Sequence, residues 1–266
     1  MPPRAAIPRW RPSNVVAIDP FSFKLPPRPS FANPAEERRA SQERLAGAFR
    51  LFWQLGFDEG VMGHISFRDP EFPDRFWLNP FGLCFGHIRV SDLMCVTLEG
   101  EVVEGDGFPH IGGIPLHSAI YSERPEVRAI AHTHSPGGKA WSTLGRLLEP
   151  ISTEAAVFHG RHALYDSFAN GEGAALGRAA EGNRAVIMKT HGILTVGESV
   201  EEAAYLFISL EKACAEQLRV EAVGNPERIP EQHAQAVSDR FSAYSGWLNF
   251  QPAWQAILRE QPELLQ

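Results

Sequence analysis

The residues best suited to chemistry in this chain are histidines. His132 and His134 stand two apart in Ala131-His132-Thr133-His134-Ser135-Pro136, and His191 lies in Lys189-Thr190-His191-Gly192. Val127 to Ala131 is a mostly apolar run, which predicts that His132 and His134 end a strand with both imidazoles on one face. A second run, Ala185 to Met188, predicts a buried strand that delivers His191 to a Gly-terminated turn. Three imidazole nitrogens leave at least one coordination position of a divalent ion open, which is the arrangement of a catalytic rather than a structural centre. Each histidine taken alone reads equally as a packed or hydrogen-bonded side chain, so the spacing by itself leaves both readings open.

The elements that must position these groups follow from local signals. Asn33-Pro34 supplies a helix cap followed by proline at the first helical position, with Glu36 and Glu37 in the first turn. Leu45, Phe49, Phe52 and Trp53 then form an apolar stripe that Gly56 ends. Short strands are expected at His64 to Arg68, Phe76 to Asn79, Leu93 to Thr97 and Glu101 to Val103, the last two joined as a hairpin. Helices are expected over about 115–122 and 136–144. Val200, Ala203, Ala204, Phe207, Leu210, Cys214 and Leu218 recur at helical spacing and predict a core helix over 199–222. Weaker helical stretches at 230–243 and 250–260 close the chain, and their aromatic residues are assigned to packing. Gly105-Asp106-Gly107 reads as a turn. The sum is a strand-rich central sheet with helices on both sides.

Composition bounds the function. With 266 residues and 44% hydrophobic content the chain can bury one large core, and nothing marks a break between two catalytic domains. Residues 1–32 carry eight prolines and predict an extended arm, ahead of a main domain at 33–225 and a helical extension at 226–266. A net charge of −7 argues against nucleic acid or an anionic membrane as partner. No secretory block or long apolar span occurs, so a soluble, cytoplasmic protein is expected. Cys84, Cys95 and Cys214 show no C-x-x-C spacing and are expected to be reduced.

From Gly63 to about Glu221, roughly 160 residues, the chain resembles the class II aldolase/adducin family. The blocks that carry the resemblance are Gly63-His64-Ile65-Ser66-Phe67-Arg68, Leu116-His117-Ser118-Ala119-Ile120-Tyr121, Arg124-Pro125-Glu126-Val127, His132-Thr133-His134-Ser135 and Thr190-His191-Gly192-Ile193-Leu194. The resemblance implies a single α/β domain of three α/β/α layers around a mainly antiparallel sheet. It also implies one divalent metal ion per subunit, zinc foremost with Fe(II) or Mn as alternatives, held by His132, His134 and His191. A homo-oligomer, a tetramer with each site near a subunit boundary, is implied as well.

The chain departs from the sugar-phosphate aldolases of that family at telling places. Their Ser-Ser-Glu run, whose glutamate carries the proton, aligns with Ile111-Gly112-Gly113. Their Gly-Asn in the first strand is Gly63-His64 here, and their Thr/Ser-Gly turn is Asn79-Pro80-Phe81-Gly82. A phosphorylated substrate is therefore not expected. A tyrosine that reaches in from a neighbouring subunit in the fuculose-phosphate enzymes aligns with Glu154, in an otherwise small and apolar segment. Glu154 is thus the candidate acid/base, either facing the metal or paired, and His64 is the candidate substrate contact. His117, inside a helix, is read as supporting the site, and Tyr165 as a packed aromatic.

The leading expectation is a metal-dependent carbon-carbon lyase, aldolase-like or a decarboxylase. Its substrate would be a small non-phosphorylated molecule that chelates the metal through two neighbouring oxygens. The alternative is a non-haem iron oxygenase acting on an aromatic 2-oxo acid, because an imidazole triad accepts iron as readily as zinc. A non-catalytic scaffold like adducin is the third reading, and it has no use for three converging imidazoles.

Overall fold

Asn33 opens the first helix, α1 (Pro34–Gln54), by accepting a hydrogen bond from the Glu36 backbone, as its cap signal predicts. The computed structural model describes residues 25–166 and 173–266, so most of the proline-rich arm lies outside the described residues. Residues 31–266 form one compact unit. After α1 come β1 (His64–Arg68), β2 (Arg75–Leu78), β3 (Met94–Thr97) and β4 (Val102–Glu104). Helix α2 (Gly113–Glu123) leads to β5 (Ala129–Thr133), α3 (Pro136–Ser142), α4 (Thr153–Ala156) and β6 (His162–Tyr165). The remainder is α5 (Ala174–Ala180), β7 (Ala185–Met188), β8 (Gly192–Gly197), α6 (Val200–Glu221), α7 (Glu231–Arg240) and α8 (Ala243–Glu260).

The strands make one 8-stranded sheet in the order β4-β3-β2-β1-β5-β8-β7-β6. Every neighbouring pair is antiparallel except β6 and β7, which run parallel. Side chains alternate between two cores, as a pleated strand requires. Ile65, Phe67, Trp77, Cys95, Ala129, Ala131, Ile187 and Ile193 join Phe49, Phe52, Phe207, Phe250 and Trp254 on one side. Phe76, Leu78, Met94, Val96, Ile130, Val186 and Leu194 join Leu116, Ile120, Tyr121 and Leu176 on the other. Helices α1, α6 and α8 pack together over the first face, while α2 packs with α5 over the second. This is the three-layer α/β/α arrangement.

Several elements differ from expectation. Trp53 lies at the margin of the α1 stripe and is 45% exposed, so it does not belong to the core. Strands β6 and β8 and helix α5 were not anticipated; the two strands are short, and pairing with β7 rather than propensity holds them. Helix α8 starts at Ala243 instead of 250 and runs through Pro252. An interior proline disfavours a helix by about 3 kcal/mol. Here the cap at Ser242 and burial of Trp247, Phe250, Trp254 and Ile257 along one face outweigh it. The three cysteines are free thiols, with Cys95 and Cys214 buried. No described helix is long and apolar enough to cross a membrane.

Candidate metal centre

The three histidines singled out by spacing converge. One ligand atom from each of His132, His134 and His191 lies within 4.8 Å of the other two, and this is the one such cluster among the described residues. His132 is the penultimate residue of β5, and His134 follows one residue beyond its end. His191 arrives from the next strand but one, in the tight connection between β7 and β8, where its N–H donates to Met188 O at 2.9 Å. Thr190, just before it, has φ 58, the one left-handed non-glycine residue among those described. A β-branched residue there is strained, and such strain is kept where the surroundings over-determine it. The Thr190 N–H donates to Ser142 O at 3.1 Å, which ties the turn to α3.

Supporting contacts decide which nitrogens are free. His132 Nδ1 donates to Ile193 O at 2.9 Å, leaving Nε2 as the unprotonated nitrogen a metal needs. Nδ1 of His134 lies 3.6 Å from Glu59 Oε2, and Glu59 in turn is held by the Lys139 ammonium at 2.6 Å. The segment leaving His134 is pinned by Glu211 of α6, which accepts from Ser135 Oγ at 2.5 Å and from the N–H groups of Gly137 and Gly138 at 2.6 and 2.5 Å. That carboxylate caps the start of α3 and fixes the direction of the loop. Gly192 makes the convergence sterically possible. A Cβ there would lie 2.9 Å from Thr133 O and against the rings of His132 and His134. Burial and the neighbouring imidazoles push the His132 pKa far down and that of His134 to about 4, so both are neutral donors at neutral pH. Donor type, spacing and protonation all fit a divalent ion with an open position.

His64 is placed beside this cluster by sheet register rather than by sequence. On β1 it faces His132 directly across the β1–β5 pair, and the two rings are 4.9 Å apart. Its Nδ1 meets Nε2 of His117 at 2.7 Å, so His117 supports the site through His64. The ring of His110, which the sequence did not single out, lies 4.9 Å from that of His64, tilted against it. Both of its nitrogens are spoken for, by Val61 O at 2.7 Å and by the Gly113 N–H at 3.1 Å. It clamps the loop that enters α2. Gly113 has no room for any side chain: a Cβ would sit 2.8 Å from Cγ of His64.

Glu154 does not join the cluster within the subunit. It is exposed in the first turn of α4, accepts a bond from its neighbour Thr153 at 2.9 Å, and lines a groove with Leu55, Phe57, Lys212 and Arg219. An acid also suits this position structurally, at the start of a helix whose cap is Ser152. Around the opposite rim Val61, Met62, Phe81, Phe108 and Ile111 are exposed, with Phe108 80% accessible.

Comparisons with known proteins agree with this architecture. Residues 43–218 match the family model of the class II aldolase and adducin N-terminal domain. The chain is 35% identical over 250 residues to decarboxylase NovR of Streptomyces niveus, covering 91% of this chain and 92% of that protein. It is 34% identical over 250 residues to the 4-hydroxy-3-prenylphenylpyruvate oxygenase/4-hydroxy-3-prenylbenzoate synthase of Streptomyces roseochromogenus subsp. oscitans, with 91% and 90% coverage. Among solved structures it superposes on L-fuculose 1-phosphate aldolase from Glaciozyma antarctica PI12 with TM-score 0.84 at 38% identity, over 90% of this chain and 96% of that one. The chain belongs to the class II aldolase/adducin family.

Proposed function

We propose that this protein is a metal-dependent carbon-carbon lyase acting on a small, non-phosphorylated acid that presents two neighbouring oxygens. The observation that carries the reading is the convergence of three imidazoles whose ligand atoms lie within 4.8 Å of one another. His132, His134 and His191 would hold the ion. When bound, it supplies electrostatic stabilisation of the charge that develops on the chelating oxygens as the carbon-carbon bond breaks. The exposed apolar side chains of Phe81, Phe108 and Ile111, with the Phe81 ring 5.4 Å from that of His110, favour an unphosphorylated, aromatic or alkyl-bearing substrate.

Glu154 is the proton carrier in this reading, acting on the centre of a neighbouring subunit in a homo-oligomer, proposed to be a tetramer. Its exposure at a groove lined by Leu55, Phe57, Lys212 and Arg219 supports a role across a subunit boundary. Glu59 and Lys139 keep the approach to His134 polar and hydrated on the near side.

A second reading has a specific observation behind it. A relative with 34% identity over 250 residues is named an oxygenase of an aromatic 2-oxo acid. Elemental analysis of anaerobically purified protein, followed by oxygen-uptake measurement with an aromatic 2-oxo acid, separates the two. Zinc or manganese with substrate loss and no oxygen uptake supports the lyase; iron with stoichiometric uptake replaces it by the oxygenase. Absence of any stoichiometric divalent metal ends both.

A further inference from the structure

A chain of buried hydrogen bonds runs from the hydrophobic core to His64. Tyr121 Oη lies 2.8 Å from Ser66 Oγ, Ser66 Oγ lies 2.5 Å from Nδ1 of His117, and Nε2 of His117 lies 2.7 Å from Nδ1 of His64. All four side chains are buried, with His117 and Ser66 at 0%, Tyr121 at 1% and His64 at 3% exposure. They meet because β1 presents His64 and Ser66 on the same face, while α2 presents His117 and Tyr121 one turn apart.

Only one direction of donation satisfies this chain. The Tyr121 hydroxyl must donate somewhere, since a buried donor left unpaired is disfavoured, and Ser66 Oγ is its one side-chain partner among the described residues. Ser66, having accepted, donates its own hydrogen to Nδ1 of His117. His117 is then the tautomer protonated on Nε2, and it donates to Nδ1 of His64. A neutral His64 must consequently carry its hydrogen on Nε2, at the end of the ring away from His117. Burial holds His117 uncharged, with its pKa lowered to about 3, and Nδ1 of His64, as acceptor of the His117 hydrogen, carries none of its own. Nε2 of His64 has no hydrogen-bond partner among the described residues, although the ring packs at a tilt against His132.

We propose that Tyr121, Ser66 and His117 form a one-way wire that fixes His64 as an uncharged Nε2–H donor for an anionic oxygen of the chelating substrate. His64 is then neither a fourth metal ligand nor a base, because its outward nitrogen already carries a hydrogen. The wire thereby sets beside the triad a donor that stabilises developing negative charge. Tyr121, Ser66 and His117 are positioning residues, and His64 is the group that touches substrate. This inference rests on the metal-site reading for its substrate, but not for its tautomer.

The test uses nitrogen-15 NMR of the histidine rings in the full chain, metal-free and zinc-loaded. His64 and His117 are both expected as Nε2–H tautomers in each state, and an Nδ1–H tautomer at His64 overturns the wire. In Tyr121→Phe the terminal donor is gone, so His117 is expected to populate both tautomers; an unchanged spectrum also overturns it. Oxalate then serves as the probe of the donor. Zinc-loaded His64→Leu is expected to keep one zinc per chain and bind oxalate about tenfold more weakly or worse, as the loss of a hydrogen bond to a charged group predicts. Unaltered oxalate affinity, or loss of zinc from this variant, overturns the donor role. If the wild-type chain takes up no zinc, the metal reading fails by itself, and the metal-free spectra still decide the wire.

Discussion

Strand β1 ends in a buried polar cluster on each side, and the two are built to opposite rules. Just past its C-terminal end, Asp69 accepts from Arg38 at 2.6 and 2.9 Å, from Trp77 Nε1 at 2.8 Å, and from the N–H groups of Glu71 and Phe72 at 2.9 and 3.0 Å. Both carboxylate oxygens are filled, and the cluster joins α1 to the edge of the sheet. At its N-terminal end, Nε2 of His64 has no hydrogen-bond partner among the described residues, and the three imidazoles of His132, His134 and His191 converge beside it. A saturated buried network rigidifies a fold, whereas one with open valences is a place for a ligand. The same strand supplies both, and only partner count separates architecture from chemistry.

The comparison breaks most visibly at the triad. His132→Ala is expected to take the metal content from one ion per chain to none and to lower turnover on the order of 100-fold or more, with little change in melting temperature. Retention of stoichiometric metal, read by elemental analysis, would place the ion elsewhere. Gly113→Ala tests the packing between the two ends, because its Cβ would sit 2.8 Å from Cγ of His64. Displacing that ring is expected to lower stability by up to about 3 kcal/mol in urea titrations, and an unaltered midpoint would show that His64 moves freely.

Asp69 sharpens the other half. Burial raises its pKa, but Arg38, Trp77 and two backbone N–H groups prevail and hold it down at about 2, from 3.8. A depressed acid contributes its stability in full above the unfolded value and loses it as pH falls through the folded one, so the window runs from about pH 4 down to about pH 2. Wild type should exceed Asp69→Asn by about 2 kcal/mol near neutrality, with the gap closing across that window. A gap that stays constant with pH would remove the carboxylate from the account. The smallest effect on stability is expected at exposed Glu154, where Glu154→Gln should stay within about 0.5 kcal/mol of wild type. Its turnover should nevertheless collapse, and mixing it with His132→Ala should restore activity if Glu154 serves a neighbouring subunit. Hybrids as inactive as their parents would confine Glu154 to structure.

Features set by neighbours along the chain were legible without coordinates. The Asn33-Pro34 cap, the apolar spacing of α6 and the β3–β4 hairpin depend on residues a few positions apart, and they appear where expected. The histidine pair His132 and His134 was readable for the same reason, and His191 because a glycine marks its turn. His110 and the partnership of His117 with Ser66 were missed. Period-two spacing of His64 and Ser66 and the four-residue step from His117 to Tyr121 were signals in plain view, but nothing local says that this strand face meets that helix face. Strands β6 and β8 were missed because a run of four to six residues has little preference of its own until a neighbour pairs with it.

The amino-acid sequence by itself determined the inventory: three histidines at strand ends, a glycine where related aldolases place an acid, and a sheet layered with helices. Those follow from residue type and short-range periodicity. Tertiary structure alone decided that His64 lies across from His132, that Gly113 leaves the space His64 fills, and that Glu154 lies exposed and outside the histidine cluster. The reason is physical. Register between strands more than sixty residues apart is selected by the packing of both sheet faces together, which no short stretch of chain encodes.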